Sequence, residues 1–346
     1  MKMRAAIYNG VKDVVLGEVD KPEIKPQSII IKNVRSGICG TDLHAYNIEG
    51  PGVGILPGNP FGHEMSGIID EVGSEVTDFK PGEHVFINPC TFETPTPEKS
   101  ILMCCDMAGA FSEYVRCDEP KREYNVFHLK DDLSWNVAAL IEPLSVAMNG
   151  AVLTKPQKGE KAIVYGAGII GLCALACLRY LGIEDVIVCD TVPFRLERAK
   201  AMGGIPCNAK EENVNSFAKR LWGATTGNNG EENTNADIVI DCAGYPGSFE
   251  NIMECAKVGS RIAIVALGTH EEKVTEVNIA YKACAIYGSF AYTPEVNRMV
   301  IDMIEKDEKS VEPIVTSVYG LSQVTKAFKE ACKADVNIKV LIDHAK

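Results

Sequence analysis

The rhythm of polar and apolar positions changes near residue 150. Before it, short apolar runs at 28–34 (SIIIKNV), 63–72 (HEMSGIIDEV), 83–88 (EHVFIN) and 109–117 (GAFSEYVRC) are bounded by Gly, Pro or Asp. That is the pattern of short strands joined by turns. After it, near-continuous apolar strands alternate with helical stretches. AIVYG leads into a glycine turn and an apolar helix from Gly168 to Leu181. DVIVCD, FRLERAKAM, ADIVIDCAG, SFENIMECAKV and RIAIVALG continue the alternation. Strands apolar at every position, alternating with helices, predict a parallel sheet covered on both faces. From about residue 285 the alternation stops. Two amphipathic helices (293–308 and 321–334) and a last strand, IKVLID, remain.

The reading is therefore α/β in two domains: residues 1–150 with 285–346, and residues 151–284. The length of 346 residues agrees, since one domain usually takes about 100–200 residues. The polar stretch 226–235 (TGNNGEENTN) reads as a surface loop with no role of its own.

Composition narrows the setting. A hydrophobic share of 46% and a charged share of 24% fit a globular chain. A net charge of −12 makes nucleic acid and anionic membranes poor partners. No apolar run reaches the ~18 residues of a membrane span, and MKMRAAIYNG lacks a signal-peptide core. Thirteen cysteines, scattered without a framework, fit a reducing cytoplasm better than a disulfide scaffold. Cys173, Cys177 and Cys189 lie in apolar runs and read as small buried hydrophobes.

Two sets of residues carry chemistry. Tyr165 ends a strand, and Gly166-Ala167-Gly168-Ile169-Ile170-Gly171 opens a helix. Gly166 permits the tight turn, Gly168 lets the backbone approach a pyrophosphate at the helix N-terminus, and Gly171 allows close packing. The next strand ends in Asp190, where an acid accepts hydrogen bonds from a ribose. A carboxylate there repels a 2′-phosphate, which favours NAD over NADP. Arg195, at a helix start, has two equal readings, an adenine cover or a solvated arginine. The second set is Cys39, His63-Glu64 and Glu142. A thiolate, an imidazole and carboxylates are all zinc-competent, and three protein ligands with one open position make a catalytic zinc site. Singly, each has a bland reading as a core cysteine, a surface pair or a helix start, and spacing alone does not join them.

At these residues the chain resembles the medium-chain zinc alcohol dehydrogenase superfamily. The match runs through Gly62-His63-Glu64-Met65-Ser66-Gly67, Glu71-Val72-Gly73, Phe79-Lys80-Pro81-Gly82-Glu83-His84-Val85 and Gly109-Ala110-Phe111-Ser112-Glu113-Tyr114, then the glycine turn. Glu142-Pro143-Leu144-Ser145-Val146-Ala147 resembles the branch of polyol, threonine and butanediol dehydrogenases. The resemblance implies a GroES-like, mainly-β catalytic domain and a Rossmann doubly wound domain. It implies zinc ligands at Cys39 and His63, with Glu64 and Glu142 sharing the remaining role directly or through water. It assigns Thr41 to the substrate oxygen and His44 to proton release. Cofactor contacts follow at Ile169, Ile170, Leu267 and Phe290, along with a homodimer or homotetramer. The implied reaction interconverts a secondary alcohol and its ketone by hydride exchange with NAD, on a zinc that acidifies the bound alcohol.

Two departures shape the expectations. The lobe that holds a second, structural zinc in relatives is shortened here. Its cysteines are reduced to Cys90, the adjacent pair Cys104 and Cys105, and Cys117, so one zinc is expected. Ala291 and Ala45 stand where sorbitol-type enzymes carry hydroxyl-binding side chains. That suggests a wider apolar pocket walled by Tyr46, Ile48, Phe61 and Phe290, and a bulky or weakly polar alcohol, a hydroxysteroid included. A polyol or small diol is the alternative. Two rivals remain, a zinc-free reductase of the same fold and a non-enzymatic NAD-binding protein.

Overall fold

The computed structural model describes residues 1–89 and 109–346. They form two compact units, Met1–Glu142 with Thr293–Lys346, and Pro143–Tyr292. The change in strand style had placed the boundaries at 150/151 and 284/285. The first falls earlier because the helix Ile141–Leu153 runs unbroken past residue 150. The second falls later because Ala285–Gly288 pairs in parallel with Ala256–Ile264 and so belongs to the central sheet.

In the first unit, Ser28–Gly37 is the organising strand. Along one edge it pairs antiparallel with Glu64–Val72. Along the other it pairs with Tyr114–Asp118 through its first half and with Lys339–Asp343 through its last residues. His84–Ile87, Val126–His128 and Val315–Gly320 complete this sheet, and a smaller one joins Asp13–Asp20, Lys2–Gly10 and Asn59–Pro60. The strand Val315–Gly320 was not foreseen; its residues are mostly half-buried, so no alternation marks it. An aromatic core fills the space beside the helix Val324–Ala331. Phe61 lies 5.1 Å from Phe111 and 5.5 Å from Phe328, and Tyr46 lies 5.6 Å from Phe328.

The second unit carries six parallel strands in the spatial order Ile205–Asn208, Asp185–Asp190, Lys161–Tyr165, Ala236–Asp241, Ala256–Ile264, Ala285–Gly288. Numbered within this sheet, the order is 3-2-1-4-5-6, the doubly wound arrangement. The switch point lies beside Lys161–Tyr165, so the glycine turn that follows this strand sits where such sheets bind nucleotides. The helix Ile169–Tyr180 buries every residue from Gly171 to Leu178, Cys173 and Cys177 included. Residues 226–235 are not a plain surface loop. Thr225–Thr226 pairs with Glu232–Asn233, and Asn233 and Thr234 are buried. The Lys282 ammonium reaches the Asn233 side chain and the Ala256 carbonyl oxygen, which ties the hairpin to the sheet.

Candidate metal and nucleotide sites

The strand ladder of the first unit assembles the metal candidates. Gly37 faces Glu64 across the antiparallel pair, and Cys39 follows two residues after Gly37. Cys39 is the extended N-cap of the helix Gly40–Asn47. Its thiol therefore sits at the N-terminal end of that helix. Ligand atoms of Cys39, His63 and Glu64 all lie within 4.8 Å of one another, the one such trio among the described residues. Glu142 is buried and acts by charge on His63, without being one of the trio.

Burial alone pushes the His63 imidazole down. The charge and hydrogen bond of Cys39 beside it, together with the charges of Asp42 and Glu142, outweigh burial. The imidazole ends well above its ordinary value. This donor set fits a zinc ion, combining a soft thiolate, a borderline nitrogen and a hard carboxylate. Loading the site releases the His63 proton, so metal affinity falls in acid.

Two residues that sequence reasoning missed complete the surroundings. Asp42 is buried, and its carboxylate accepts the Cys39 N–H at 2.8 Å. Burial pushes its carboxyl up to about 6, against the pull of His63 and the Cys39 N–H. The signal was available, since an acid three residues after an N-cap is a capping pattern. Lys339 is the second, a charged residue in a strand buried at every position. Its ammonium pairs with Glu64. Thr41 Oγ1 is a buried hydroxyl without a hydrogen-bond partner among the described residues. His44 follows three positions on, on the same helical face.

The substrate-pocket expectations change. Tyr46 and Phe61 are core residues, held in the aromatic cluster around Phe328. Ala45 is fully buried in the same core, and its carbonyl oxygen accepts the Tyr8 hydroxyl at 3.0 Å. It opens no pocket volume, so half of the argument for a bulky substrate falls away. Ile48 is exposed. In the other unit, Phe290 is 63% exposed and Ala291 adopts a left-handed turn with φ 55°.

The nucleotide candidates surround a cavity of about 720 Å³ within the second unit. Its lining includes Gly166, Gly168, Asp190 and Arg195, with Lys210, Cys242, Ala243 and Tyr245 not foreseen. Gly166 has φ 90°, which a side chain rarely adopts. A Cβ on Gly171 would collide with the Gly166 carbonyl oxygen, so the third glycine is a packing residue. Asp190 is already anchored. Its Oδ2 accepts the Ala167 N–H at 2.8 Å, and its Oδ1 accepts Thr191 and Val192 at 2.7 and 2.9 Å. Arg195 stands 3.6 Å from the same carboxylate, which favours the cavity over a free surface position. Ile169, Ile170, Leu267 and Phe290 do not line this cavity, and Leu267 is 75% exposed.

The fold is that of the zinc-dependent dehydrogenases. Residues 25–129 match the alcohol dehydrogenase GroES-like domain, and residues 170–306 match the zinc-binding dehydrogenase family. The sorbitol dehydrogenase of Bacillus subtilis is 31% identical over 95% of this chain and 93% of its own length. The L-threonine 3-dehydrogenase of the same organism is 30% identical over 95% of each. The crystal structure of 2R,3R-butanediol dehydrogenase from Bacillus subtilis superposes with a TM-score of 0.85 at 25% identity, covering 99% of each chain. The chain belongs to the zinc-dependent medium-chain alcohol dehydrogenase superfamily, in its polyol, threonine and butanediol dehydrogenase branch. It is an alcohol oxidoreductase acting on small molecules, and no helix among the described residues is long and apolar enough to cross a membrane.

Cys117, one of the four cysteines considered for a structural zinc, is buried in the core of the first unit. Cys90, Cys104 and Cys105 lie outside the described residues.

Proposed function

We propose that this enzyme oxidises the secondary hydroxyl of a polyol or short diol with NAD, at one zinc ion per chain held by Cys39, His63 and Glu64, with Glu142 in reserve. The observation that carries the reading is the convergence of three ligand atoms within 4.8 Å, with the unpartnered Thr41 hydroxyl two residues along the chain from Cys39. A zinc ion bound there supplies Lewis acidity that lowers the pKa of a bound alcohol. Thr41 Oγ1 is free to accept the hydrogen bond of that hydroxyl. His44, on the same face of the helix and partly exposed, takes the proton onward to solvent. Gly166 and Gly168 seat the pyrophosphate, and Asp190 accepts from the ribose.

The polyol or diol reading takes precedence over the bulky alcohol. The similar proteins are named for sorbitol, butanediol and threonine, and Ala45 is core rather than pocket. Measuring kcat/KM with NAD over sorbitol, 2,3-butanediol, threonine and a hydroxysteroid tests this. We expect a polyol or diol to exceed the hydroxysteroid by at least about tenfold. A hydroxysteroid ahead of both restores the first expectation. Assembly as a homodimer or homotetramer and a cytoplasmic location complete the proposal, the first testable by analytical ultracentrifugation.

Cofactor choice gives a sharper test. NAD should be preferred over NADP by at least about tenfold, since a lost charge-assisted hydrogen bond plus repulsion is worth roughly 1.5–3 kcal/mol. Asp190→Ala should narrow that gap. It should also raise KM for both cofactors, because the carboxylate holds the Ala167 N–H of the glycine turn. Equal use of both cofactors by the parent enzyme would refute the assignment.

A further inference from the structure

The nucleotide cavity shares two of its residues, Asn215 and Glu254, with a second and smaller cavity. This one has a volume of about 230 Å³ and lies within the second unit. Asn233 and Lys282 are its buried residues at the hairpin side. The Lys282 ammonium is already held by the Asn233 side-chain oxygen, by the Ala256 carbonyl oxygen and, at 3.3 Å, by Glu231. That leaves the Asn233 amide nitrogen, a buried donor without a hydrogen-bond partner among the described residues. Gly227 keeps it uncovered, since a Cβ there would stand 2.6 Å away. On the wall shared with the nucleotide cavity, Asn215 Nδ2 donates to the Glu254 carbonyl oxygen at 3.1 Å. Its Oδ1 is a buried acceptor, also without a partner among the described residues. Buried polar groups left unpaired are costly, so a donor and an acceptor bordering one cavity call for an occupant that serves both.

Charge selects the class of that occupant. The carboxylates of Glu231, Glu232, Glu250 and Glu254 outnumber the ammonium groups of Lys273 and Lys282, so an anion is repelled. A metal ion finds no cluster here, because among the described residues only Cys39, His63 and Glu64 bring three ligand atoms within 4.8 Å. An amine would leave the Asn233 donor without an acceptor. A hydroxyl both donates and accepts, and carboxylates are strong acceptors for it. Phe249 supplies an apolar face for carbon-bound hydrogens. The volume falls below the ~300–1,000 Å³ of sites for drug-sized ligands, so the compound is small. We propose that this cavity is an effector site for a small neutral polyhydroxy compound, a sugar or polyol, and that its occupancy tightens NAD binding. A hydroxyl on Asn215 Oδ1 orders an amide that also walls the nucleotide cavity, so NAD meets a wall already fixed. The coupling rests on NAD occupying the larger cavity.

The test uses the full chain, with sorbitol as the probe and Cys39→Ser to remove binding at the zinc. In that variant, calorimetric titration should give an NAD Kd about fivefold lower in concentrated sorbitol than without it, the low end for coupled sites. By linkage, NAD should tighten sorbitol binding by the same factor. Asn278 lies on the exposed rim of the cavity. Asn278→Trp in the same background should plug the site and abolish the shift, with the Kd for NAD alone unchanged. Phe249→Leu should weaken sorbitol several-fold. An unchanged NAD Kd overturns the proposal, and so does a shift that persists in Asn278→Trp, which is a bulk osmolyte effect. Glycine or inorganic phosphate acting in place of sorbitol refutes the ligand class. Should Cys39→Ser keep its metal, the comparison with Asn278→Trp still separates the two sites. If NAD fails to bind the parent, the nucleotide assignment falls. Sorbitol binding followed by saturation-transfer NMR, present in Cys39→Ser and lost with Asn278→Trp, then tests the effector site by itself.

Discussion

Replacing Cys39 by serine is expected to yield a folded chain that retains no zinc and oxidises alcohol at least about a thousandfold more slowly, several kcal/mol of transition-state stabilisation being lost with the metal. The thiolate is the soft anionic ligand of the trio, and a serine hydroxyl does not ionise near neutrality. The fold should survive. Cys39 is the extended N-cap of the helix Gly40–Asn47, and serine is a preferred residue at that position. His63→Ala should lose metal and activity together as well. Metal analysis, circular dichroism and steady-state rates on the same samples check the outcome. Full activity in a chelator-treated, metal-free preparation would end the zinc assignment.

Acid should unfold this protein through His344. The imidazole is buried, with Nε2 2.6 Å from Ser36 Oγ and with Arg35 and Arg4 nearby. Burial first, and then the charge of Arg35, lowers it to about 3 from an ordinary 6.5. In the unfolded chain it takes up a proton as the pH drops below 6.5, while in the folded chain it stays neutral. Stability is therefore complete above about 6.5 and is lost as the pH falls towards about 3. Each pH unit in that window costs about 1.4 kcal/mol, so the loss near pH 4 is about 3 kcal/mol. That is a large part of the ~5–15 kcal/mol that a domain commonly has. His344→Gln keeps an N–H for Ser36 and does not titrate. Thermal midpoints of parent and variant should run together above pH 7 and separate in acid, with the variant higher. Parallel curves down to pH 4 would refute the assignment.

Much of the molecule was legible in one dimension. Strands such as IVY, VIVC and IVI are apolar at every position, and only a sheet covered on both faces accommodates that. The glycine turn and Asp190 read directly because their roles are local. A positive φ at Gly166, a helix N-terminus and an acid at the next strand end all follow from chain geometry over a few residues. Cys39 and His63-Glu64 were visible as zinc-competent side chains, yet nothing in their spacing joined them. They come together because Gly37 faces Glu64 across a strand pair.

What tertiary structure alone decided is which side chains share a volume. Tyr46, Phe61 and Ala45 sit near ligands in sequence and were read as pocket, but a helix from the far end of the chain brings Phe328 among them and makes them core. Lys339 lies three hundred residues from Cys39 and reads as an ordinary lysine until the last strand docks beside Gly37. Residue type and local rhythm are properties of the chain itself. The dielectric around a charge, and the partner it meets there, exist only once distant segments have packed.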